Sequence, residues 1–213
     1  MNATATAATP ATTTIFERMS GLARELGAIN LGQGYPDAEH SPELLEAARA
    51  ALIDKSNQYP PMRGLIELRE AIAAYYAEHQ ALTVSPEEIV VTSGATEAIA
   101  ASILAFLQPG EEAILFQPCY DAYAPLVERA GAIPRFIDLV PPDWHVPLDR
   151  LEDAINRNTK LIILNTPNNP AGTIADRKTL ERIGALCEHY GVFLLCAEVW
   201  EGMIFDGTPH LSP

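Results

Sequence analysis

The sequence predicts an α/β fold with a mostly parallel, doubly wound sheet. Short apolar runs without polar alternation recur along the chain, which is typical of strands buried on both faces. Segments of helical periodicity separate these runs, and this alternation favours right-handed crossovers between parallel strands. The most apolar run, Leu161–Leu164, ends in the turn Asn165–Pro170, whose prolines cannot continue a strand ladder. Ligands bind beyond the carboxyl ends of such strands, so this turn marks the expected binding edge.

The N-terminal part of the chain is predicted to form helices and extended segments. One helix is expected over 15–26 and another over 42–54, the second with Ser41 as N-cap and Pro42 at its first position. Extended segments are expected over 29–36 and 57–62, and a third helix over 65–79. The apolar side chains expected to share one face of the first helix are Ile15, Met19, Leu22 and Leu26, and those expected inside on the second are Leu44, Leu45, Ala48 and Leu52.

A strand–turn–helix unit over 89–99 is a candidate anion site. Residues 89–92 are predicted as a buried strand, after a capping box at Ser85–Glu88, and Ser93–Thr96 turn directly into a helix. Free N–H groups and the positive helix end attract anions, and the small residues Gly94 and Ala95 leave room for a phosphate. A generic turn of a doubly wound fold explains the same residues equally well. The glycine patterns of dinucleotide and nucleoside-triphosphate sites do not occur in this unit.

The later strands are predicted at 113–116, 133–139, 160–164 and 192–196, and the helices between them end near Ala130 or cover 148–155 and 176–190. Tyr120 follows the strand at 113–116. An aromatic ring there can stack on a flat heterocycle or fill a core, and residue type alone does not decide between the two. The side chains expected inside on the helix at 176–190 are Leu180, Ile183, Leu186 and Cys187.

The composition restricts the partners and the compartment. A net charge of −14 and the lack of a basic patch argue against nucleic acid and anionic membranes as partners. Three cysteines without metal-binding spacing are expected to be reduced thiols of a cytoplasmic protein. The five histidines are scattered, so none is assigned as a metal ligand. The first 14 residues lack the features of a secretory signal and are predicted to be a disordered leader.

Six blocks of the sequence resemble, in order, the class I aminotransferases, fold-type I enzymes that use pyridoxal 5′-phosphate. They are NLGQGYPD at 30–37, NQYPPMRGLIELREAIA at 57–73, VVTSGATEAI at 90–99, FQPCYDAYAP at 116–125, NTPNNPAG at 165–172 and FLLCAEVWEGMIFDG at 193–207. The resemblance is strongest to the methionine and kynurenine (aromatic) branch. The family's sequence continues past the position of Pro213 for about as long again, so the resemblance implies that the large domain at 41–213 is incomplete. It also implies a small-domain arm at 15–40.

The resemblance also implies roles for individual residues. Those matched to cofactor-binding positions are Ala95, Thr96, Tyr120, Asn169, Tyr59 and Trp200, and Gly34 is matched to a position beside the substrate carboxylate. Tyr120 would stack on the pyridine ring, and Tyr59 would cross a homodimer interface to the neighbour's cofactor phosphate. The implied reaction moves an amino group from an amino acid to a 2-oxo acid.

The sequence departs from the family at two positions that matter for catalysis. The family's Asp-Glu-Val-Tyr block reads Ala197-Glu198-Val199-Trp200 here, so the carboxylate at the pyridine nitrogen and the phenol at the ring hydroxyl are replaced. None of the three lysines lies in the family's Ser-x-x-Lys context. We therefore expect no catalytic residue within this chain and no activity from it alone. The alternatives are a non-catalytic fragment or binding partner of a complete homologue and, third, an unrelated doubly wound enzyme.

Overall fold

The computed structural model describes residues 14–34 and 41–213. The chain divides into two compact units, the first ending at Tyr59 and the second running from Pro60 to Pro213. Of the predicted leader, residues 1–13 lie outside the described residues, whereas Thr14 is the N-cap of the first helix and its hydroxyl accepts the Glu17 N–H at 3.2 Å. The arm expected at 15–40 falls within the first unit, and its boundary stays a prediction.

The first unit contains the two predicted helices, α1 (Ile15–Leu26) and α2 (Pro42–Asp54). Their ends follow local chemistry, since Ser41 caps α2 and Gly27 ends α1 at a φ of 60°. The expectation that the apolar face of α2 lies inside is wrong. No residue of α1 or α2 is buried, and Leu26 and Leu52 are each 68% exposed. An amphipathic face stays exposed where no second layer of structure packs on it.

The second unit is built on a four-stranded parallel sheet in the order β2-β1-β3-β4. Its strands are β1 (Glu112–Gln117), β2 (Ile133–Asp138), β3 (Thr159–Asn165) and β4 (Phe193–Ala197). Each of the four strands begins and ends within one residue of its predicted bounds. The helices of this unit are α3 (Ile66–Gln80), α4 (Gly94–Phe106), α5 (Tyr123–Arg129), α6 (Leu148–Ala154) and α7 (Arg177–Tyr190), with a single 3₁₀ turn at Pro86–Glu88.

Helices cover both faces of the sheet, which confirms the doubly wound class. Alternate strand residues explain the arrangement, because Leu161 and Ile163 face one way and Ile162 and Leu164 the other. The first pair packs with α4 and α5, and the second pair packs with α6 and α7. The four side chains predicted to lie inside on α7 are all buried. The parallel strands therefore end together at one edge of the sheet.

The strand predicted at 89–92 is not formed. The segment has no ladder partner among the described residues, and its Val91 N–H instead bonds the carbonyl of Arg63 at 3.1 Å. Val90 is 57% exposed rather than buried. An apolar run becomes a strand only when a neighbouring strand pairs with it, which the run itself does not specify. The capping box before the segment is present, with Ser85 and Glu88 bonding each other's backbone ends.

None of the helices within the described ranges combines the length and the apolar character needed to cross a bilayer.

An ion pair between a buried carboxylate and an exposed guanidinium at the start of β1 gives the fold a predicted pH dependence. The Glu112 side chain is 5% exposed, lies 2.7 Å from the Arg135 guanidinium and accepts the Asn156 amide at 2.8 Å. These two partners, Arg135 first, hold the pKa of Glu112 below its ordinary value. Since the folded-state pKa is lowered, the pair contributes stability above the unfolded pKa of about 4.3 and loses it as pH falls through the folded value.

Glu112→Gln is therefore expected to lower the free energy of unfolding at neutral pH by about 1–3 kcal/mol. The variant should also lose less stability than the parent on acidification below about pH 4. Denaturant unfolding across that range measures both effects. Glu128→Gln, at an exposed position of α5, is the matched control and should leave the pH profile unchanged. If Glu112→Gln and Glu128→Gln changed the pH dependence of the free energy of unfolding equally, the ion pair would be ruled out as its cause.

Candidate functional site

A cavity of about 240 Å³ lies at the carboxyl edge of the sheet. The start of α4 and the segments that follow β1, β3 and β4 meet there, as expected of the ligand side of an open α/β sheet. The residues that line it are Ala95, Thr96, Ile99, Tyr120, Tyr123, Asn165, Asn169, Ala197, Val199 and Trp200. Five of the seven predicted site residues are among them. None of these lining residues carries a charge, so any charge on a ligand would be met by backbone and neutral side chains.

The first turn of α4 offers hydrogen-bond donors to the cavity. Ala95 and Thr96 belong to this turn, and N–H groups at the start of a helix have no acceptor inside the helix. No side chain of the described residues caps the turn; instead the Glu97 carboxylate accepts the N–H of Ser93. The helix dipole adds partial positive charge at the same place. This end of the cavity is therefore suited to a phosphate group.

Gly94 fixes how the chain enters α4. Its φ of 80° lies in the left-handed region, although an added Cβ would meet nothing within 4 Å. A residue with a Cβ would be strained at this φ even though there is space for its side chain, and this strain explains why the position is glycine.

We predict that Gly94→Ala lowers the free energy of unfolding by about 1–2 kcal/mol, the cost of a left-handed conformation for a residue with a Cβ. Gly184→Ala is the matched control, because Gly184 lies inside α7 and its added Cβ would also meet nothing within 4 Å. The control should gain about 0.5–1 kcal/mol. Urea denaturation separates the two cases, and equal effects at both glycines would contradict the strain at Gly94.

The Asn-rich turn after β3 is held by its own side chains. The Asn165 amide donates to the carbonyls of Ala197 at 2.8 Å and Pro167 at 3.0 Å, and its oxygen accepts the N–H of Asn169 at 2.8 Å. Asn168 accepts the N–H of Ala171 at 3.0 Å in a second brace. Asn165 was not predicted as a site residue, although its place as the last residue of a buried strand was a usable signal. It positions Asn169 on the cavity wall.

Two tyrosines after β1 form the aromatic wall of the cavity. The rings of Tyr120 and Tyr123 are 5.6 Å apart at an interplanar angle of 74°. Tyr123 is 3% exposed, and burial raises the pKa of its hydroxyl to about 12, so the group stays protonated at neutral pH. Tyr120 is only half-buried and lines the cavity. The structure thus places Tyr123 as support and Tyr120 as the ring that a ligand can reach.

The end of β4 lacks the carboxylate that the family pattern requires. Ala197 is 7% exposed, and a methyl group stands where that pattern has an aspartate. Glu198 does not replace it, because its carboxylate bonds His210 and Ser212 and is not part of the cavity wall. Successive side chains of an extended segment point to opposite sides, which accounts for the difference. Trp200 does line the cavity, and its indole carries one N–H donor and no charge.

The remaining predicted site residues, Gly34 and Tyr59, belong to the first unit. Both are exposed, and Tyr59 is 98% exposed. Their roles toward a substrate carboxylate and a neighbouring subunit stay predictions.

Comparison with known sequences decides the family. The profile of the family "Aminotransferase class I and II" matches residues 27–212. The chain belongs to this family. Its parallel sheet and covering helices are those of the fold-type I aminotransferases, and the chain spans about half the length of the curated relatives it matches.

Three relatives illustrate the similarity. A structure of N-succinyldiaminopimelate aminotransferase from Mycobacterium tuberculosis is 41% identical with a TM-score of 0.91, over 95% of this chain and 53% of its own. The methionine aminotransferase of Escherichia coli is 37% identical over 94% of this chain and 52% of its own length. Kynurenine–oxoglutarate transaminase 3 of Homo sapiens is 36% identical over 93% of this chain and 46% of its own.

Proposed function

We propose that this chain forms the cofactor-binding part of a pyridoxal-phosphate-dependent aminotransferase, which moves an amino group from an amino acid to a 2-oxo acid. One observation carries the proposal. Ala95, Thr96, Tyr120, Asn169 and Trp200, which lie on four separate segments of the chain, line a single cavity. Family membership supports the same reaction class, since the relatives are named as aminotransferases.

Most of the cavity fits pyridoxal phosphate. The free N–H groups of Ala95 and Thr96 would hold the phosphate, the Tyr120 ring would cover one face of the pyridine, and Asn169 would bond the polar edge of the ring. When bound, the cofactor supplies the electron sink that transamination requires. The protein's part is to orient the ring, keep its nitrogen protonated and provide a lysine as base. Residues 1–213 would orient the ring but would supply neither of the other two functions.

Two features of the chain do not fit a catalytic pyridoxal phosphate site: the alanine at position 197 and the positions of the lysines. No carboxylate lines the cavity, and the chain's three lysines, Lys55, Lys160 and Lys178, are not among the lining residues. We therefore propose that residues 1–213 alone bind the cofactor weakly and without a covalent bond, and that they do not catalyse transamination. A non-catalytic partner of a complete homologue was the alternative from the sequence, and the relatives do not favour it.

The amino-acid substrate is proposed to be of the methionine or aromatic type. The methionine and kynurenine aminotransferases among the relatives support this choice, at 37% and 36% identity. A relative at 41% is named for N-succinyldiaminopimelate, so that compound belongs in the same assay. A homodimer in which Tyr59 reaches the neighbouring subunit, and a cytoplasmic location in keeping with the three free cysteines, also remain proposals.

A cofactor titration tests the proposal. The chain has two tryptophans, so a Trp144→Phe background leaves Trp200, on the cavity wall, as the only one. Excitation at a wavelength that tyrosine does not absorb then makes Trp200 the fluorescent reporter. Pyridoxal phosphate should quench this fluorescence saturably, and pyridoxal without the phosphate should bind more weakly. Borohydride reduction should trap no specific lysine, and no 2-oxo acid should form from methionine, phenylalanine or N-succinyldiaminopimelate.

Matched variants locate the binding. Tyr120→Ala removes the ring that would cover the pyridine and should weaken the cofactor about tenfold or more, since stacking on an aromatic ring contributes about 1–3 kcal/mol. Tyr190→Ala, at an exposed position of α7, should leave binding unchanged. Binding that ignores Tyr120, or turnover through a trapped lysine within residues 1–213, would overturn the proposal.

A further inference from the structure

We propose that Glu198, Glu201 and His210 form a binding site for a divalent transition-metal cation such as Zn²⁺. One potential ligand atom from each residue lies within 4.8 Å of the others. Glu198 and Glu201 stand on the turn after β4, and His210 lies on the segment that follows it. The group is separate from the cavity described above, whose wall contains none of the three.

Neighbouring side chains already orient the two carboxylates. Glu198 has His210 Nε2 at 2.6 Å from its Oε2, and the Ser212 hydroxyl donates to its Oε1 at 2.9 Å. Glu201 accepts the Tyr75 hydroxyl at 2.9 Å and the Gln80 amide N–H. The last two donors lie on α3. Metal ligands are commonly held in place by such outer hydrogen bonds, which fix their orientation before the ion binds.

Two buried acceptors in this group have no partner. The His210 side chain is only 9% exposed, and its ring is directed at Glu198. With Nε2–H donated to Glu198, the Nδ1 lone pair of His210 has no hydrogen-bond partner among the described residues. The Gln80 carbonyl oxygen is likewise buried and unpartnered there. Leaving a buried polar atom unpaired costs about 1–3 kcal/mol. The Nδ1 of His210 points away from Glu198, so Nε2 is the ring atom that would bind the ion in place of its proton. The unpartnered atom that indicates a missing positive group is the Gln80 oxygen, whose amide already contacts Glu201.

The charges and ligand types select the kind of ion. Two carboxylates within the cluster repel each other, and one imidazole can supply at most a single positive charge. A divalent cation would neutralise both. Imidazole with carboxylate oxygens suits Zn²⁺ and its neighbours in the first transition row, whereas Mg²⁺ and Ca²⁺ prefer oxygen ligands alone. The carbonyl of Gln80 or a water molecule would complete the coordination.

The cation would join three parts of the second unit: α3, the turn after β4, and the segment at 208–213. The turn is the one that carries Trp200 onto the cavity wall, so ion binding would also stabilise that wall. The proposed role is structural and does not depend on the proposed function.

Metal titration of the chelator-treated chain tests the site. Calorimetry should show one Zn²⁺ bound per chain, with Mg²⁺ binding far more weakly. At about 100 times the dissociation constant, Zn²⁺ should raise the midpoint of thermal unfolding by about 5–10 °C. Glu201→Gln and His210→Ala should each abolish this shift. Glu188→Gln and His189→Ala, both at exposed positions of α7, are the matched controls and should retain it.

Two further measurements keep the test decisive if a ligand variant unfolds. Tyr75→Phe keeps all three ligands but removes one orienting hydroxyl, and should weaken Zn²⁺ about 10- to 100-fold. Co²⁺ in place of Zn²⁺ should show visible ligand-field bands without a thiolate charge-transfer band, because no cysteine belongs to the proposed ligand group. The proposal is overturned by a thiolate band, by the absence of saturable binding, or by equal losses in ligand and control variants.

Discussion

Replacing Ala197 with aspartate is expected to increase transamination about 10- to 1,000-fold when residues 1–213 are joined to the second half of a relative. An opposite charge close to a titrating nitrogen shifts its pKa by about one to three units, which corresponds to about 1.4–4 kcal/mol. Each 1.4 kcal/mol gained in the transition state is about tenfold in rate. Ala197 lies on the cavity wall at the end of β4, so an aspartate there would face the bound ring. Initial rates of 2-oxo acid formation measure the effect.

The same substitution has a measurable cost without the cofactor. Ala197 is 7% exposed, so an unpaired carboxylate there should lower the free energy of unfolding by about 1–3 kcal/mol. Pyridoxal phosphate should recover that loss by pairing its protonated nitrogen with the new carboxylate, and so stabilise the variant more than the parent. Ala185→Asp, at an exposed position of α7, is the control and should change stability by less than about 0.5 kcal/mol. If the cofactor stabilises the Ala197→Asp variant no more than the parent, Ala197 does not face the ring nitrogen.

The isolated chain is expected to self-associate at micromolar concentration. Large apolar side chains are open to solvent on both units, with Leu31 90%, Met62 99% and Phe205 75% exposed. Among the residues that the structure describes, β2 and β4 each pair on one side only, which leaves two open sheet edges. Exposed apolar surface together with an open edge favours association between copies. Multi-angle light scattering over a concentration series should show a mass that rises well above the 23.1 kDa of one chain.

A pair of variants separates the apolar contribution from net charge. Leu104→Glu with Phe193→Glu removes two side chains that are 62% and 53% exposed, the second at the β4 edge beside Phe106. This variant should begin to associate only at a concentration about tenfold higher or more. The reason is that burying each large apolar side chain contributes about 1.5–3 kcal/mol to the free energy of association. Gln108→Glu with Asn158→Glu, both at exposed positions, adds the same two negative charges without removing apolar surface, and should have little effect. A concentration-independent monomer of the parent chain, with cooperative unfolding, would contradict this prediction.

The central sheet could be predicted from the sequence because its signals are local. The runs that became β1, β3 and β4 each hold at least four successive apolar residues, and a proline follows β1 and β3 within two residues. The segment at 89–92 has the same composition but forms no strand, because pairing depends on residues distant in the chain. Likewise, the periodicity of α1 and α2 identified their apolar faces but did not determine whether those faces are buried, and no residue of either helix is.

The candidate site was partly predictable for the same reason. Tyr120 and Asn169 each follow a strand whose end could be predicted from the sequence, and parallel strands bring such ends together. Ala95 could be predicted from the helix start after Ser93, although the strand expected before it is not formed. Asn165 was missed because its role is to brace the turn through Ala197, a partner 32 residues away. The role proposed for His210 could not be predicted, because no sequence spacing connects it to Glu198 and Glu201. Only the fold places these residues beside α3.

A crystal structure of the chain soaked with pyridoxal phosphate tests the central claim most directly. The cavity at the carboxyl edge of the sheet should hold the cofactor with its phosphate within hydrogen-bond distance of the Ala95 and Thr96 N–H groups. Its ring should lie against Tyr120, and no covalent bond should join it to Lys55, Lys160 or Lys178. Cofactor density elsewhere on the chain, or an empty cavity at saturating cofactor, would contradict the proposed function.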